Sequence, residues 1–303
     1  AIKKFFINLW DKIKSLYKQY FTACGRMEKK AKAIRKFTNE RSNEKKEDSF
    51  NDKSLAAAFT GKNGKNLNIA EQLENTIDGY KTINDKRDIV GIVIDELSGD
   101  QIEDAMDGLI KSFHNNFFQN GELKLIPVLG NKELEIRYNE QKSKKDNYEF
   151  DIEVDVKDVS PDSPDEDIKV ESKEALVKYC DKVIEICRLI SRDTKGDKNY
   201  ERVKRAIDKA AERVNKETKN KDIRRELIRA GKDIANGSSN GSGRDIVVSN
   251  GHSGHGDHDY NDYRKAAAVV RQLIRLDSRL AVEYKKQNLA GCAKVLTYVK
   301  KAA

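Results

Sequence analysis

Residues 132–142 read KELEIRYNEQK and residues 148–156 read YEFDIEVDV. In the first, Leu134, Ile136 and Tyr138 alternate with Glu133, Glu135 and Arg137. In the second, Tyr148, Phe150, Ile152, Val154 and Val156 alternate with Glu149, Asp151, Glu153 and Asp155. A period of two sends successive side chains to opposite faces, so both stretches read as strands with one apolar and one wet face. Leu123 and Leu125, ahead of Pro127, extend the pattern upstream, and Gly130-Asn131 supplies a turn for a first hairpin. The expectation is a small antiparallel sheet with an acidic outer face. On such a face Glu149 and Asp151 are the wet side of a strand rather than an acid–base couple.

Away from the sheet the apolar period lengthens to that of a helix. Asp48 to Asn68 reads as a linker, and helical spacing begins with Ile69, Leu73, Ile77 and Tyr80. Ile89, Val90, Val93, Ile94 and Leu97 fit either a helix or a short buried strand. Ile102, Met106, Leu109, Ile110, Phe113 and Phe117 fit a helix that Asn120-Gly121 ends. Beyond the sheet, residues 160–167 (SPDSPDED) form an acidic hinge in which Ser163, Pro164 and Glu166 spell a helix start. The chain then reads as helical to about Ala235. Its apolar faces are Leu176, Cys180, Val183, Ile184, Cys187 and Ile190, then Val203 to Val214, then Ile223 to Ile228. Residues 236–259, rich in Gly, Ser, Asn and His, read as a loop. A closing helical pair follows, one helix through Val269, Leu273, Leu280 and Tyr284, the other through Leu289, Cys292, Leu296 and Val299. Only three prolines occur, which suits long helices. The expected architecture is α+β and mostly helical, in three parts: a basic helical arm over 1–47, helices plus a small antiparallel sheet over 48–160, and a helical domain over 161–303 carrying the loop 236–259.

The arm is the chemically distinctive part. Over residues 1–21, AIKKFFINLWDKIKSLYKQYF, the side chains Phe6, Leu9, Trp10, Ile13, Leu16, Tyr17, Tyr20 and Phe21 recur at three- and four-residue steps and so line one face of a helix. Lys3, Lys4, Lys12, Lys14 and Lys18 crowd the rest, with Asp11 the only acid. The segment has no unbroken apolar run and no small-residue cleavage site, so it reads as neither a membrane span nor a signal peptide. Its apolar face suits a partner surface or the plane of an anionic membrane. The helix continues past Gly25 into Arg26, Lys29, Lys30, Lys32, Arg35, Lys36, Arg41, Lys45 and Lys46, which face few acids. Cations at helical spacing neutralise phosphates without reading sequence, so these nine are the candidate polyanion-binding residues. The whole chain agrees: 36% of its 303 residues are charged, the formal net charge is +8, the mean hydropathy is −0.79 and the pI is near 9.0. Such a balance favours nucleic acid or an anionic surface as partner.

Catalytic patterns are not found. FTGKNGKN (59–66) imitates a phosphate loop, but Phe59 stands where its first glycine belongs and Asn66 follows Lys65 in place of Ser or Thr. No nucleophile elbow, HExxH or dinucleotide fingerprint occurs. His114, among Phe113, Phe117 and Phe118, reads as structural. The four cysteines form no CxxC and read as reduced, buried thiols. His252, His255 and His258, with Asp257 and Asp259, are the one concentration of metal-ligand types, although a glycine-rich loop imposes no geometry on them. No cofactor and no small-molecule substrate is indicated.

A lysine- and aspartate-rich chain that starts at Ala1 with a basic FFINLWDKIKSLYKQYF helix, shows no catalytic signature and ends NLAGCAKVLTYVKKAA resembles the processed internal head proteins of giant phiKZ-like tailed bacteriophages. The resemblance is one of style over the whole chain and transfers no site residues. It implies a non-enzymatic structural protein of the virion interior, made in the host cytoplasm during assembly. Such a protein is cut by a prohead protease after a glutamate and packed with double-stranded DNA, the capsid and other internal virion proteins. Ala1 fits that cleavage and equally fits loss of an initiator Met. The alternatives are a membrane-surface-binding effector using the first helix, and a metal-dependent enzyme at the histidine-rich loop.

Overall fold

In a computed structural model of the chain, the described residues are 2–41, 48–61, 66–97, 123–142, 148–193 and 256–303, with single positions within 113–118 and 198–205; the side chains of 2–14, 16–17, 94, 96–97, 123–124, 138–142, 148–151, 256–272 and 274–275 lie outside that description. The described residues form five helices, α1 (Ile2–Glu40), α2 (Lys53–Phe59), α3 (Ile69–Leu97), α4 (Lys173–Ser191) and α5 (Gly256–Ala302). They also form five strands, β1 (Ser49–Asn51), β2 (Leu123–Val128), β3 (Lys132–Lys142), β4 (Tyr148–Asp158) and β5 (Asp167–Lys169). The fold is α+β and mostly helical, as the two periods predict.

The sheet has the order β2-β3-β4 with antiparallel pairs. Its register puts Ile126 opposite Leu134, Leu134 opposite Val156, and Ile136 opposite Val154. These residues share one face, which α3 and α5 cover. Pro127 sits on the edge strand β2, where a missing N–H costs no ladder bond. The turn joining β2 to β3 needs Gly130 at φ 96° and Asn131 at φ 54°, a backbone that glycine and asparagine adopt most readily. The outer face is acidic but not uniformly wet. Glu135 is only 3% exposed. It is enclosed by Arg137, two residues along its own strand, and by Lys157 Nζ, 2.5 Å away on β4.

Four sequence expectations change. Residues 48–68 are not a linker: β1 pairs with β5, Phe50 opposite Ile168, and Asp52 caps α2 by accepting from Leu55 N at 3.0 Å. Long-range pairing supplies order that local composition does not. For the same reason no helix starts at Ser163. Ile168 is held in β5, and α4 begins after Ser172, whose hydroxyl accepts from Ala175 N. The stretch 69–97 is one helix, so the strand alternative for Ile89 to Leu97 is excluded. The closing pair is also one helix, and it starts at Gly256, inside the segment that reads as a loop. The polar stretch Lys285 to Asn288 suggests a break, yet Lys285 and Asn288 are buried because each has a partner: Asp193 for the lysine at 2.6 Å, the Leu129 N–H for the asparagine at 3.0 Å. The helical faces expected over 203–228, and the helix around Ile102, fall outside the described residues.

A single cluster of buried apolar side chains runs through all five helices and the sheet. The hairpin turn is tied into it. Gln72 Oε1 accepts from Gly130 N at 2.8 Å, and Asn131 Nδ2 donates to the Ala57 and Thr60 carbonyls.

Candidate polyanion-binding face

Helix α1 lies along α4 and touches α5. Cys24, Ala31 and Thr38 are buried on its inner side, and Tyr20, Ala23, Met27 and Ile34 pack half-buried against the core. Their three- and four-residue spacing makes one stripe, which fixes the rotation of the helix. Ion pairs bracket it: Arg35 reaches Asp181 at 2.6 Å, and Arg188 Nε donates to Glu28 at 3.2 Å. The hydrogen bond from Lys32, then that from Arg188, hold the Glu28 carboxyl below the usual carboxylate range.

With the inner face so fixed, the opposite arc meets solvent. Lys18, Arg26, Lys29, Lys30, Lys32 and Lys36 are all exposed there. Lys32 pairs with the half-buried Glu28 and Lys36 with the exposed Glu40, both as i,i+4 contacts. Such pairs are worth only about 0.3–0.5 kcal/mol, so a phosphate exchanges for the carboxylate at little cost. Lys18, Arg26, Lys29 and Lys30 make no ion pair among the described residues. Five of the nine candidate cations therefore share one face. Arg35 sits at its border, committed to Asp181. Arg41 does something else: its Nη1 donates to the Ala302 carbonyl at 2.7 Å, capping the end of α5, and its own carbonyl accepts from Lys173. Lys45 and Lys46 lie outside the described residues.

Of the proposed partner or membrane face, Tyr20 is half-buried against the protein's own core, where burial, then the Glu283 charge, push its phenol pKa up, whereas Phe21 does not share that face and stands exposed. Phe6, Leu9, Trp10, Ile13, Leu16 and Tyr17 fall on the N-terminal half of α1, with side chains outside the described residues. No helix among the described residues is long and apolar enough to cross a membrane. His252 and His255 lie outside the described residues; His258 falls in the first turn of α5, its side chain likewise outside. Among the described residues no three metal-ligating side chains converge.

Two buried clusters were not legible in the sequence. Where α3, the end of α4 and α5 meet, Arg87 reaches Asp277 Oδ1 at 2.7 Å and Asp193 Oδ2 at 2.8 Å, and Lys285 reaches the same Asp193 oxygen at 2.6 Å. Arg87 is 1% exposed, so these charges lean on one another rather than on water. Beside them, Cys24 of α1 and Cys187 of α4 share a hydrogen bond, with Cys292 of α5 nearby. Donation to Cys24, then burial, hold the Cys187 thiol protonated, and burial pushes Cys180 up to about 11. All four thiols are free and buried, which is the packing role expected of them.

Fold and face together define a mostly helical protein whose outward chemistry is electrostatic. The family model of phiKZ-like phage internal head proteins matches residues 1–247, and the chain belongs to that family. It is a structural protein of a bacteriophage virion, located inside the head. No curated protein and no solved structure matches the chain. The matched span contains α1 to α4 and the sheet; α5, which closes the core over them, lies beyond it.

Proposed function

We propose that α1 is the face by which this internal head protein contacts packaged double-stranded DNA. The observation that carries this reading is the exposed arc of Lys18, Arg26, Lys29 and Lys30, without ion pairs among the described residues, on a helix locked in rotation by its inner face. A folded protein gains nothing from holding four like charges together, whereas a polyanion exchanges its condensed counterions for them. The acidic outer side of the sheet keeps duplex from coating the whole molecule and leaves a surface for the capsid's inner wall or other head proteins. The function is non-enzymatic in this reading, and the propeptide cleavage implied by the family is read by comparing the mass of the virion protein with its gene.

Four phosphate contacts imply a slope near −3.6 in log K against log salt, which is about 10²-fold weaker binding between 50 and 200 mM salt. Fluorescence anisotropy on a labelled duplex measures it. Lys29→Gln together with Lys30→Gln lowers affinity on any sequence and flattens the slope by about 2. Salt-independent binding, or none at 50 mM, overturns the proposal.

A further inference from the structure

The cationic arc of α1 is edged by aromatic rings. Phe21 is 64% exposed and Phe37 59%, the two most exposed large apolar side chains among the described residues. Both stand on the helix that carries these cations. Phe37 continues the row Arg26, Lys30, Ala33 at helical steps of four, three and four. Phe21 heads the row Gly25, Glu28, Lys32, on the other side of the arc. Lys18, Lys29 and Lys36 run between the two rows. Sixteen residues separate the rings, about 24 Å along the axis. Thr22, Gly25 and Ala33 also face out between them. A side chain at Gly25 would meet nothing within 4 Å, so internal packing does not account for the glycine.

Cations alone suit any polyanion. Cations bordered by two rings suit one that presents flat apolar faces next to its charges. An acidic protein surface offers carboxylates without such faces. A duplex keeps its base faces inside the stack. A strand with unpaired bases offers both, and proteins that hold such strands combine a basic track with aromatic platforms. Resting on the reading of α1 as a nucleic-acid face, we propose that Phe21 and Phe37 stack on unpaired bases while Lys18, Lys29, Lys30 and Lys36 neutralise the phosphates between them. The helix thereby prefers single-stranded to double-stranded DNA of equal phosphate count. The span between the rings covers about seven nucleotides at 3.4 Å each.

The test uses the full chain, with anisotropy on a twenty-nine-residue thymidine oligonucleotide and on a fifteen-base-pair duplex, which carry the same number of phosphates, at one salt concentration. The wild type binds the single strand more tightly. Phe21→Leu together with Phe37→Leu removes the rings but keeps apolar bulk at exposed positions, so the fold and its melting temperature are retained. This variant loses about tenfold or more on the single strand and less than twofold on the duplex. Equal losses on both, no loss on either, or a wild-type preference for duplex overturns the inference and leaves duplex binding standing. Wild-type binding to neither probe overturns the α1 reading itself. If the substitutions instead abolish sedimentation-detected self-association, or binding to anionic vesicles, with single-strand affinity unchanged, the rings belong to that interface and the inference fails.

Discussion

At the residue scale, single positions record what presses on them. Gly291 lies within α5, where a glycine costs the helix about 1 kcal/mol relative to alanine. The cost is tolerated because the hairpin turn runs against it: an added Cβ would stand 2.7 Å from the Leu129 carbonyl oxygen and 2.6 Å from Leu129 Cγ. Backbone cannot step aside as a flexible side chain does. Gly291→Ala is therefore expected to destabilise by about 1–3 kcal/mol despite alanine's better helix propensity, read as a lower urea midpoint at unchanged slope. The cations of α1 were legible residue by residue, because charge and period are local. The division of labour among them was not. Arg35 is engaged by Asp181 and Arg41 by the Ala302 carbonyl, partners 146 and 261 residues away.

At the element scale, the helices are bound to one another by charge as well as by apolar contact. Arg87 of α3 joins Asp277 of α5 to Asp193, which follows α4, and Lys285 closes the cluster. Taking charges out of water makes the assembled network a modest contributor, but breaking it leaves a buried charge without its counterpart. Arg87→Met is expected to lower stability by about 3–5 kcal/mol, measured by urea unfolding, with exposed Arg35→Met costing under about 1 kcal/mol by comparison. This network, with the bond from the Leu129 N–H to Asn288, explains why α5 reads as two helices. Lys285 and Asn288 imitate a solvent-exposed connection, and only their partners show them to be interior.

At the scale of the whole molecule, stability depends on pH through carboxylates held below their usual range. Lys32 and Arg188 hold Glu28 down, and Lys157 and Arg137 hold Glu135. Burial opposes the shift at Asp52, but Lys301 and the Leu55 amide outweigh it. Each group protonates more easily in the unfolded chain. Its contribution is complete above the unfolded carboxylate range, about pH 4, and is lost as pH falls through that range towards the lowered folded values. Urea midpoints are expected to stay level between pH 7 and 5 and to fall towards pH 3, with Glu28→Gln removing part of that fall. These pairs also join distant parts of the chain: Asp52 meets Lys301, and Glu28 meets Arg188.

The sequence by itself determined the local facts: which segments have a period of two and which of 3.6, the turn at Gly130-Asn131, the inner stripe of α4, and a first helix rich in cations. These depend on neighbours a few residues apart, and the pattern of side chains carries them. Tertiary structure decided what depends on distant partners. Pairing with β5 turned a linker into β1, Asp193 and the hairpin turn made the polar stretch of α5 an interior stripe, and packing on α4 chose which cations of α1 face outward. A buried charge and an exposed one look alike in sequence; only the group that comes to lie against each distinguishes them.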